Sequence, residues 1–247
     1  MIEKTEKSKK NLLTYSFCNY WVEAAREFSD IKKITLAGMF LALSVALQAV
    51  SVPVDPTGAL RIQVTFIVSA LSGLVLGPLV SCVRGVGSDI IGFLIFPQGP
   101  FFPGYTLSAA LGAMIYSLFF WKRRITSSTI LAAKLTVNIF VNAMLGSVWS
   151  VICYGTKAYS VYFGFALVKN LVLLPIEVLI VTLTFRAMMP VLTRFKLSNP
   201  ENLESLRINK TQTIIACIAV AVMFIALFLF GNDLYNILKN FVNMIFT

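Results

Sequence analysis

The chain of 247 residues contains no histidine. This absence removes histidine-based acid–base catalysis, serine–histidine–acid triads and zinc motifs of the His-Glu type. The chain also has no GxxxxGK[ST] phosphate-binding loop, so its sequence predicts no direct use of ATP. If the protein moves a solute uphill, something else must supply the energy.

Charged residues and cysteines are also few. Asp, Glu, Lys and Arg make up 13% of the chain, hydrophobic residues make up 57%, and the mean hydropathy is +0.81. This composition is too apolar for a soluble domain and predicts an integral membrane protein in a lipid bilayer. The four cysteines show no paired spacing. We therefore expect no disulfide, no bound metal and no cofactor.

Long apolar runs predict an all-α membrane protein, because a crossing helix needs roughly 20 apolar residues. The candidate spans are Ile34–Val52, Ile62–Gly77, Leu79–Phe96, Tyr105–Trp121, Thr129–Tyr154, Val161–Met189 and Thr211–Phe230. The first six define a membrane domain over residues 34–190. The seventh, in residues 211–247, follows a polar linker over 191–210 and is predicted to be an added helix that anchors the chain or packs laterally.

Basic residues predict the orientation of the chain. They cluster before the first run, after the fourth run and between the sixth and seventh runs. The positive-inside rule makes that side cytoplasmic, with the amino terminus inside and the carboxyl terminus outside if the seventh span inserts. Residues 1–33 are predicted to form a cytoplasmic segment whose part Asn11–Lys33 is an amphipathic helix on the inner surface. The net charge of +10 is thus explained by topology, and we expect no nucleic-acid partner.

The stretch Ser88–Ala113 reads SDIIGFLIFPQGPFFPGYTLSAALGA and predicts a binding site in the membrane. Asp89 lies in an apolar run, where a carboxylate is costly unless it faces a partner, a cavity or a ligand. The Pro, Gly and aromatic residues of Pro97–Gly104 interrupt the helices and predict an outer lid.

Charges inside the spans suggest two ion pairs between the third and sixth helices. Asp89 and Lys169 share a depth in the outer half, while Arg84 and Glu177 lie in the inner half by helical rise. Because unpaired charges at these depths are costly, we predict the pairs Asp89–Lys169 and Arg84–Glu177. A ligand could replace either partner of the first pair.

Polar and aromatic side chains in the outer half are the candidate ligand contacts. They are expected to bond or stack on a bound molecule if they face inward. Arg61, with Lys157, is placed to attract an acidic group. The candidates are Arg61, Gln63, Ser88, Asp89, Gln98, Phe102, Tyr105, Asn142, Trp149, Lys169 and Asn170.

Small residues spaced four apart mark two helix faces. Ala42 and Ala46 lie on the first helix, and Ala109 and Ala113 lie on the fourth. Such faces allow close helix packing in lipid, either within the bundle or against a partner subunit.

Three segments together resemble the substrate-binding S component of an energy-coupling factor (ECF) vitamin transporter of the folate type. They are REFSDIKKITLAGMFLALSVAL (Arg26–Leu47), the Ser88–Ala113 stretch, and KNLVLLPIEVLI (Lys169–Ile180). The resemblance implies a six-helix bundle in the bacterial cell membrane with a vitamin pocket near the outer face. It also implies an ABC-type importer in which a membrane scaffold and two ATPases supply the energy, and in which Ala42 and Ala46 dock on the scaffold.

The chain departs from the folate-type pattern at two places. Folate binders of this family tend to have Asn-Thr-Leu-Trp in the fifth helix and Arg before Lys-Asn in the sixth. This chain keeps Asn142, Lys169 and Asn170 but reads Ala-Met-Leu after Asn142 and has Val168 before Lys169. The expected ligand is therefore folate or a related heterocyclic compound.

Two other classes of function remain open from the residues alone. One is a stand-alone secondary transporter for a small organic metabolite, although such proteins often have two broken helices in matching positions and only Pro97–Gly104 is broken here. The other is a membrane scaffold or an enzyme without histidine, for which the sequence shows no nucleophile or metal constellation.

Overall fold

The computed structural model describes residues 19–53, 61–97, 101–123, 125–154 and 159–195, without the side chains of 52, 53, 61, 62, 154 and 161. Several predictions fall outside these residues: the first part of the amphipathic segment, Gln98, Lys157, the linker beyond residue 195 and the seventh helix. The side chain of Arg61 is likewise not described.

The first long helix, α1, spans Ile31–Gln48. It begins three residues before the predicted start because Asp30 caps it, with its carboxylate accepting a hydrogen bond from the Lys32 backbone at 3.0 Å. A helix over residues 19–26 and a 3-10 turn, Glu27–Ser29, precede it. The change of direction at Asp30 separates this short helix from α1.

A small β-hairpin follows α1. Strand β1 (Ser51–Pro53) pairs antiparallel with β2 (Arg61–Gln63), with Val52 opposite Ile62. The prediction that a helix begins at Ile62 with Arg61 at its start is therefore wrong: Arg61 lies on a strand, and the next helix begins at Phe66. Alternating polar and branched residues in RIQVT suit a strand better than a helical turn.

Helix α2, Phe66–Ile95, folds back on itself at Gly77, whose φ of 77° and ψ of 170° are not helical. The hydroxyl of Ser81 donates to the backbone oxygen of Ser72 at 3.1 Å, and an Arg84 nitrogen donates to the Ser69 hydroxyl at 3.2 Å. Residues 15 apart in a straight helix lie about 22 Å from each other. Two helical arms, 66–76 and 78–95, therefore form a hairpin, and they correspond to the second and third predicted spans.

Gly77→Ala is expected to destabilise the protein by about 2–4 kcal/mol, because this backbone region is open essentially to glycine only. In addition, the new methyl group would lie 3.1 Å from the Trp121 ring. Gly164→Ala is the matched control, since nothing lies within 4 Å of the position of its added carbon in a helix. Thermal unfolding in detergent measures both. Equal midpoints for the two variants would show that the Gly77 turn is not required.

The remaining helices run back and forth along the hairpin. Helix α3 spans Pro103–Phe120. Helix α4, Ser127–Thr136, continues through a π-helical segment, Val137–Leu145, into α5, Gly146–Tyr154. Helix α6 spans Tyr159–Arg194, four residues beyond the predicted end of the membrane domain. The labelled helices and strands of the described residues are thus α1 to α6, β1 and β2, and the short helix over residues 19–26 precedes them.

Helix α3 packs closely on the second arm of α2. A Cβ atom at Gly85 would lie 2.7 Å from the backbone oxygen of Ala109, so only glycine allows this approach. Ala113 is fully buried. Of the two alternatives for Ala109 and Ala113, the structure favours packing inside the bundle over docking on a partner subunit, because this face lies against the second arm of α2. Ala42 and Ala46, in contrast, are exposed.

The helix over residues 19–26 packs where α2 turns and α3 ends. The Tyr20 ring lies 5.0 Å from the Trp121 ring, and Ala24 is fully buried. Lys122 donates to Glu23 at 2.7 Å, which lowers the pKa of the Glu23 carboxyl. The short helix is thereby attached to the end of the bundle that contains Gly77.

Four of the described helices are long and apolar enough to cross a membrane: Ile31–Gln48, Phe66–Ile95, Ser127–Cys153 and Tyr162–Arg194. The protein is thus an all-helical, multi-pass membrane protein apart from its small hairpin. The number of crossings, six plus a seventh, stays a prediction.

Candidate functional site

A cavity of about 380 Å³ lies inside the bundle and is lined by side chains from α1 to α6. This volume falls in the range of pockets that hold small organic molecules. The cavity has two parts of different chemistry. The aromatic part lies towards the β-hairpin and consists of Phe93, Phe96, Phe101, Phe102 and Tyr105. The polar part lies nearer Gly77 and consists of Ser44, Ser69, Arg84, Tyr116, Lys134 and Glu177.

Ring contacts hold the aromatic part in place. The ring centroids of Phe93 and Phe101 are 5.1 Å apart, and those of Phe102 and Tyr105 are 6.3 Å apart. Trp149 does not line the cavity but stands behind it, 5.5 Å from Phe102, and donates a hydrogen bond to Ser108 at 2.9 Å. Its predicted contact with a ligand is therefore indirect in this structure: Trp149 supports Phe102.

Asp89 faces the cavity as predicted. Its carboxylate accepts a hydrogen bond from the Thr106 hydroxyl at 2.6 Å. The neighbouring Ser88 backbone oxygen accepts from the Gln48 side chain at 2.8 Å, which ties α1 to α2. Lys169 lines the same cavity, and its pairing with Asp89 stays a prediction.

The inner ion pair differs from the prediction. Glu177 pairs with Lys134 at 3.1 Å and accepts from the Asn138 side chain at 3.0 Å. Lys134 is only 2% exposed, and its ammonium lies 3.8 Å from the centre of the Phe66 ring. The predicted pair Arg84–Glu177 is thus wrong, because α4 places Lys134 beside this carboxylate.

Arg84 is bonded to hydroxyl groups instead of a carboxylate. Its two terminal nitrogens donate to Ser44 at 2.6 Å and to Ser69 at 3.2 Å. The residue is 3% exposed, and its Nε has no hydrogen-bond partner in the described part of the chain. Its guanidinium is therefore fixed in position by two hydrogen bonds from its terminal nitrogens.

Three asparagines join α6 to the π-helical segment. Asn138 donates to the backbone oxygen of Asn170 at 3.3 Å, and Asn170 donates back to that of Asn138 at 3.4 Å. Asn142 donates to the Asn138 side chain at 3.0 Å. Short π-helical segments are frequent at functional sites. The network holds Asn142 and Asn170 at the cavity wall.

Most of the predicted ligand contacts come together. Those that line the cavity are Gln63, Ser88, Asp89, Phe102, Tyr105, Asn142, Lys169 and Asn170. The prediction missed Lys134 entirely and treated Arg84 and Glu177 only as structural charges. One signal was available for Lys134, since a lysine within the apolar run Thr129–Tyr154 needs a buried partner.

Val168, which stands where folate binders of the family tend to have Arg, lies away from the cavity. Its side chain is 55% exposed on the outside of α6, whereas Lys169 and Asn170 turn inward. Ala143 is fully buried in helix packing. Ala143, Leu145 and Val168 are therefore not among the residues that line the cavity.

Comparison with known proteins identifies a matching family model and several similar proteins. A family model described as "ECF transporter, substrate-specific component" matches residues 32–185. The folate transporter FolT of Clostridium novyi is 38% identical over 125 residues, which cover 51% of this chain and 72% of that protein. FolT of Leuconostoc mesenteroides is 31% identical over 154 residues, covering 60% and 82%.

A solved structure shares the fold. The crystal structure of FolT bound with folic acid superposes with a TM-score of 0.56 at 30% identity, covering 62% of this chain and 91% of that one. The resemblance seen in the sequence is confirmed by these matches. This chain belongs to the family of ECF transporter substrate-specific components, in its folate-type group.

Proposed function

We propose that this protein captures folate, or a closely related heterocyclic vitamin, at the outer face of the bacterial membrane and delivers it within an ECF-type ABC importer. The observation that carries the proposal is the cavity of about 380 Å³, with an aromatic part and a hydrogen-bonding part, in a chain related to FolT. Flat rings pack against aromatic faces, while polar side chains fix their orientation.

The positions of basic residues support an orientation in which the end of the bundle that carries the β-hairpin faces outward. Lys122 and Arg123 are exposed at the end of α3 that lies beside Gly77. By the positive-inside rule this end faces the cytoplasm. The aromatic part of the cavity then lies on the outer side.

The proposed partners, a membrane scaffold and two ATPases, are those that membership in this family implies. Their role is consistent with the lack of a GxxxxGK[ST] phosphate-binding loop in this chain. Ala42 and Ala46 are exposed on α1 and offer a flat surface for close helix packing with that scaffold.

The test is to purify the chain from its own membranes and identify the extracted small molecule by mass spectrometry. We expect folate or a pterin-containing compound, together with saturable binding of added folic acid by the emptied protein. Riboflavin, a flat vitamin with a different hydrogen-bond pattern, is the control ligand and is expected not to compete. A co-purified compound without a heterocyclic ring, or no binding of folic acid, would contradict the proposal.

A further inference from the structure

Three basic side chains lie around the short helix that precedes α1. The ammonium of Lys122 is 2.7 Å from the Glu23 carboxylate. The hydrogen bond and charge of Lys122 lower the pKa of the Glu23 carboxyl, and the charge of Arg26 lowers it further. Burial raises the pKa of the Tyr20 phenol, and the charge of Arg123 acts in the opposite direction. Arg26, Lys122 and Arg123 therefore lie near one turn of this helix, and we call them the basic cluster.

The basic cluster has more positive charge than its surroundings neutralise. Its three cations lie near one carboxylate, that of Glu23, which pairs with Lys122. Arg26 and Arg123 are exposed, and neither forms an ion pair with another residue that the structure describes. Basic residues next to the cytoplasmic surface of a membrane are attracted to its anionic lipids. The two free guanidinium groups therefore favour an anionic partner.

Apolar side chains are exposed next to these cations. Val22 is 49% exposed and Phe28 is 40% exposed, and both lie within four residues of Arg26 in the sequence. The rings of Tyr20 and Trp121 pack together at the same end of the bundle, 5.0 Å apart, and such rings are enriched where a membrane meets water. A partner that contacts both the cations and the apolar side chains needs an anionic group joined to hydrocarbon. An anionic phospholipid has both.

The basic cluster is held in place by contacts within the protein. Ala24 of the short helix is fully buried, and the Lys122 ammonium lies 4.6 Å from the centre of the Trp121 ring. Groups that are already fixed lose little freedom when a partner binds. The short helix precedes residues 32–185, which match the family model, so this surface includes a part of the chain outside that match.

We propose that this surface binds an anionic phospholipid of the inner leaflet, with the headgroup at the basic cluster and the acyl chains against Val22 and Phe28. The assignment rests on the orientation given under the proposed function, which places this end of the bundle at the cytoplasmic surface. The bound lipid holds the short helix, and with it the start of α1, at the membrane surface. The surface prefers phosphatidylglycerol to phosphatidylcholine, because the headgroup of phosphatidylcholine has no net charge.

The test measures the thermal unfolding midpoint of the full chain in detergent while either lipid is added. Phosphatidylglycerol at about ten times its dissociation constant should raise the midpoint by roughly 3–6 °C, and phosphatidylcholine should raise it less. Arg26→Gln combined with Arg123→Gln should weaken phosphatidylglycerol binding on the order of 10- to 30-fold, since each basic residue at an anionic surface contributes roughly fivefold. The midpoint without lipid should change little, because both side chains are exposed.

Two matched controls separate this site from charge in general. Arg26→Lys combined with Arg123→Lys keeps both charges and should keep most of the response to phosphatidylglycerol. Arg186→Gln combined with Arg194→Gln removes two exposed cations from α6 and should respond to this lipid like the wild type. Inorganic phosphate, an anion without hydrocarbon, should not raise the midpoint.

Equal midpoints in the two lipids, or an equal loss of response in the α6 variant, would overturn the lipid site. Stabilisation by inorganic phosphate that matches the lipid effect would also overturn it and indicate a site for a free anion. Folic acid affinity, measured on the same samples, should be the same for the wild type and Arg26→Gln/Arg123→Gln. A wild-type protein that responds to phosphatidylglycerol but binds no folic acid would overturn the proposed function and support the lipid site.

Discussion

Replacing Lys134 with methionine is expected to destabilise the ligand-free protein by about 3–5 kcal/mol, the usual cost of removing one partner from a buried ion pair. Lys134 is 2% exposed, and its ammonium is 3.1 Å from Glu177. Without it, the carboxylate loses this ammonium and keeps the hydrogen bond from Asn138. A large fall in the thermal unfolding midpoint in detergent should follow.

Two further variants separate this cause from a general packing defect. Lys134→Met combined with Glu177→Gln removes both charges, so it should recover most of the lost stability. Lys122→Met breaks the exposed pair with Glu23, in which both side chains are about half exposed, and should change the midpoint little. If the double variant is no more stable than Lys134→Met, the buried charge is not the cause.

The second large effect concerns transport. Ala42→Trp is expected to reduce vitamin uptake by at least about tenfold while leaving the affinity for folic acid unchanged, because an indole prevents the close packing that small residues permit. Ala42 is exposed and does not line the cavity. Uptake of labelled folic acid by cells and binding to the purified protein measure the two quantities separately.

Ala132→Trp is the matched control for this prediction. Ala132 is also an exposed alanine within a helix, but it lies on α4. We expect it to transport like the wild type. Equal loss of uptake in both variants would show that a bulky side chain at any exposed helix position impairs the protein, and the docking role of α1 would be contradicted.

Much of the architecture can be predicted from the sequence, because the length of an apolar run and the positions of helix-breaking residues are local properties of the chain. Gly77 and Pro78 separate two apolar runs in the sequence, and the structure places the hairpin turn there. The predicted helix beginning at Ile62 failed for the opposite reason. Pairing with residues 51–53, which is a nonlocal contact, makes Arg61–Gln63 a strand.

The site was harder to predict, because depth along a helix does not determine which neighbour a side chain faces. Arg84 and Glu177 were matched by depth, yet α4 places Lys134 beside Glu177 and α1 places Ser44 beside Arg84. Asn138 and Asn142 follow Lys134 at intervals of four residues, which a helix places on one face. Asp89 lines the cavity, which agrees with the expectation that a carboxylate in an apolar run faces a partner, a cavity or a ligand.

The central claim is that this chain binds the vitamin but cannot move it alone. The most direct measurement is uptake of labelled folic acid into proteoliposomes that contain the chain with or without the scaffold and two ATPases. We predict saturable binding without accumulation for the chain alone, and ATP-dependent accumulation with the complete set. Accumulation by the chain alone, driven by an ion gradient, would contradict the account and identify a secondary transporter.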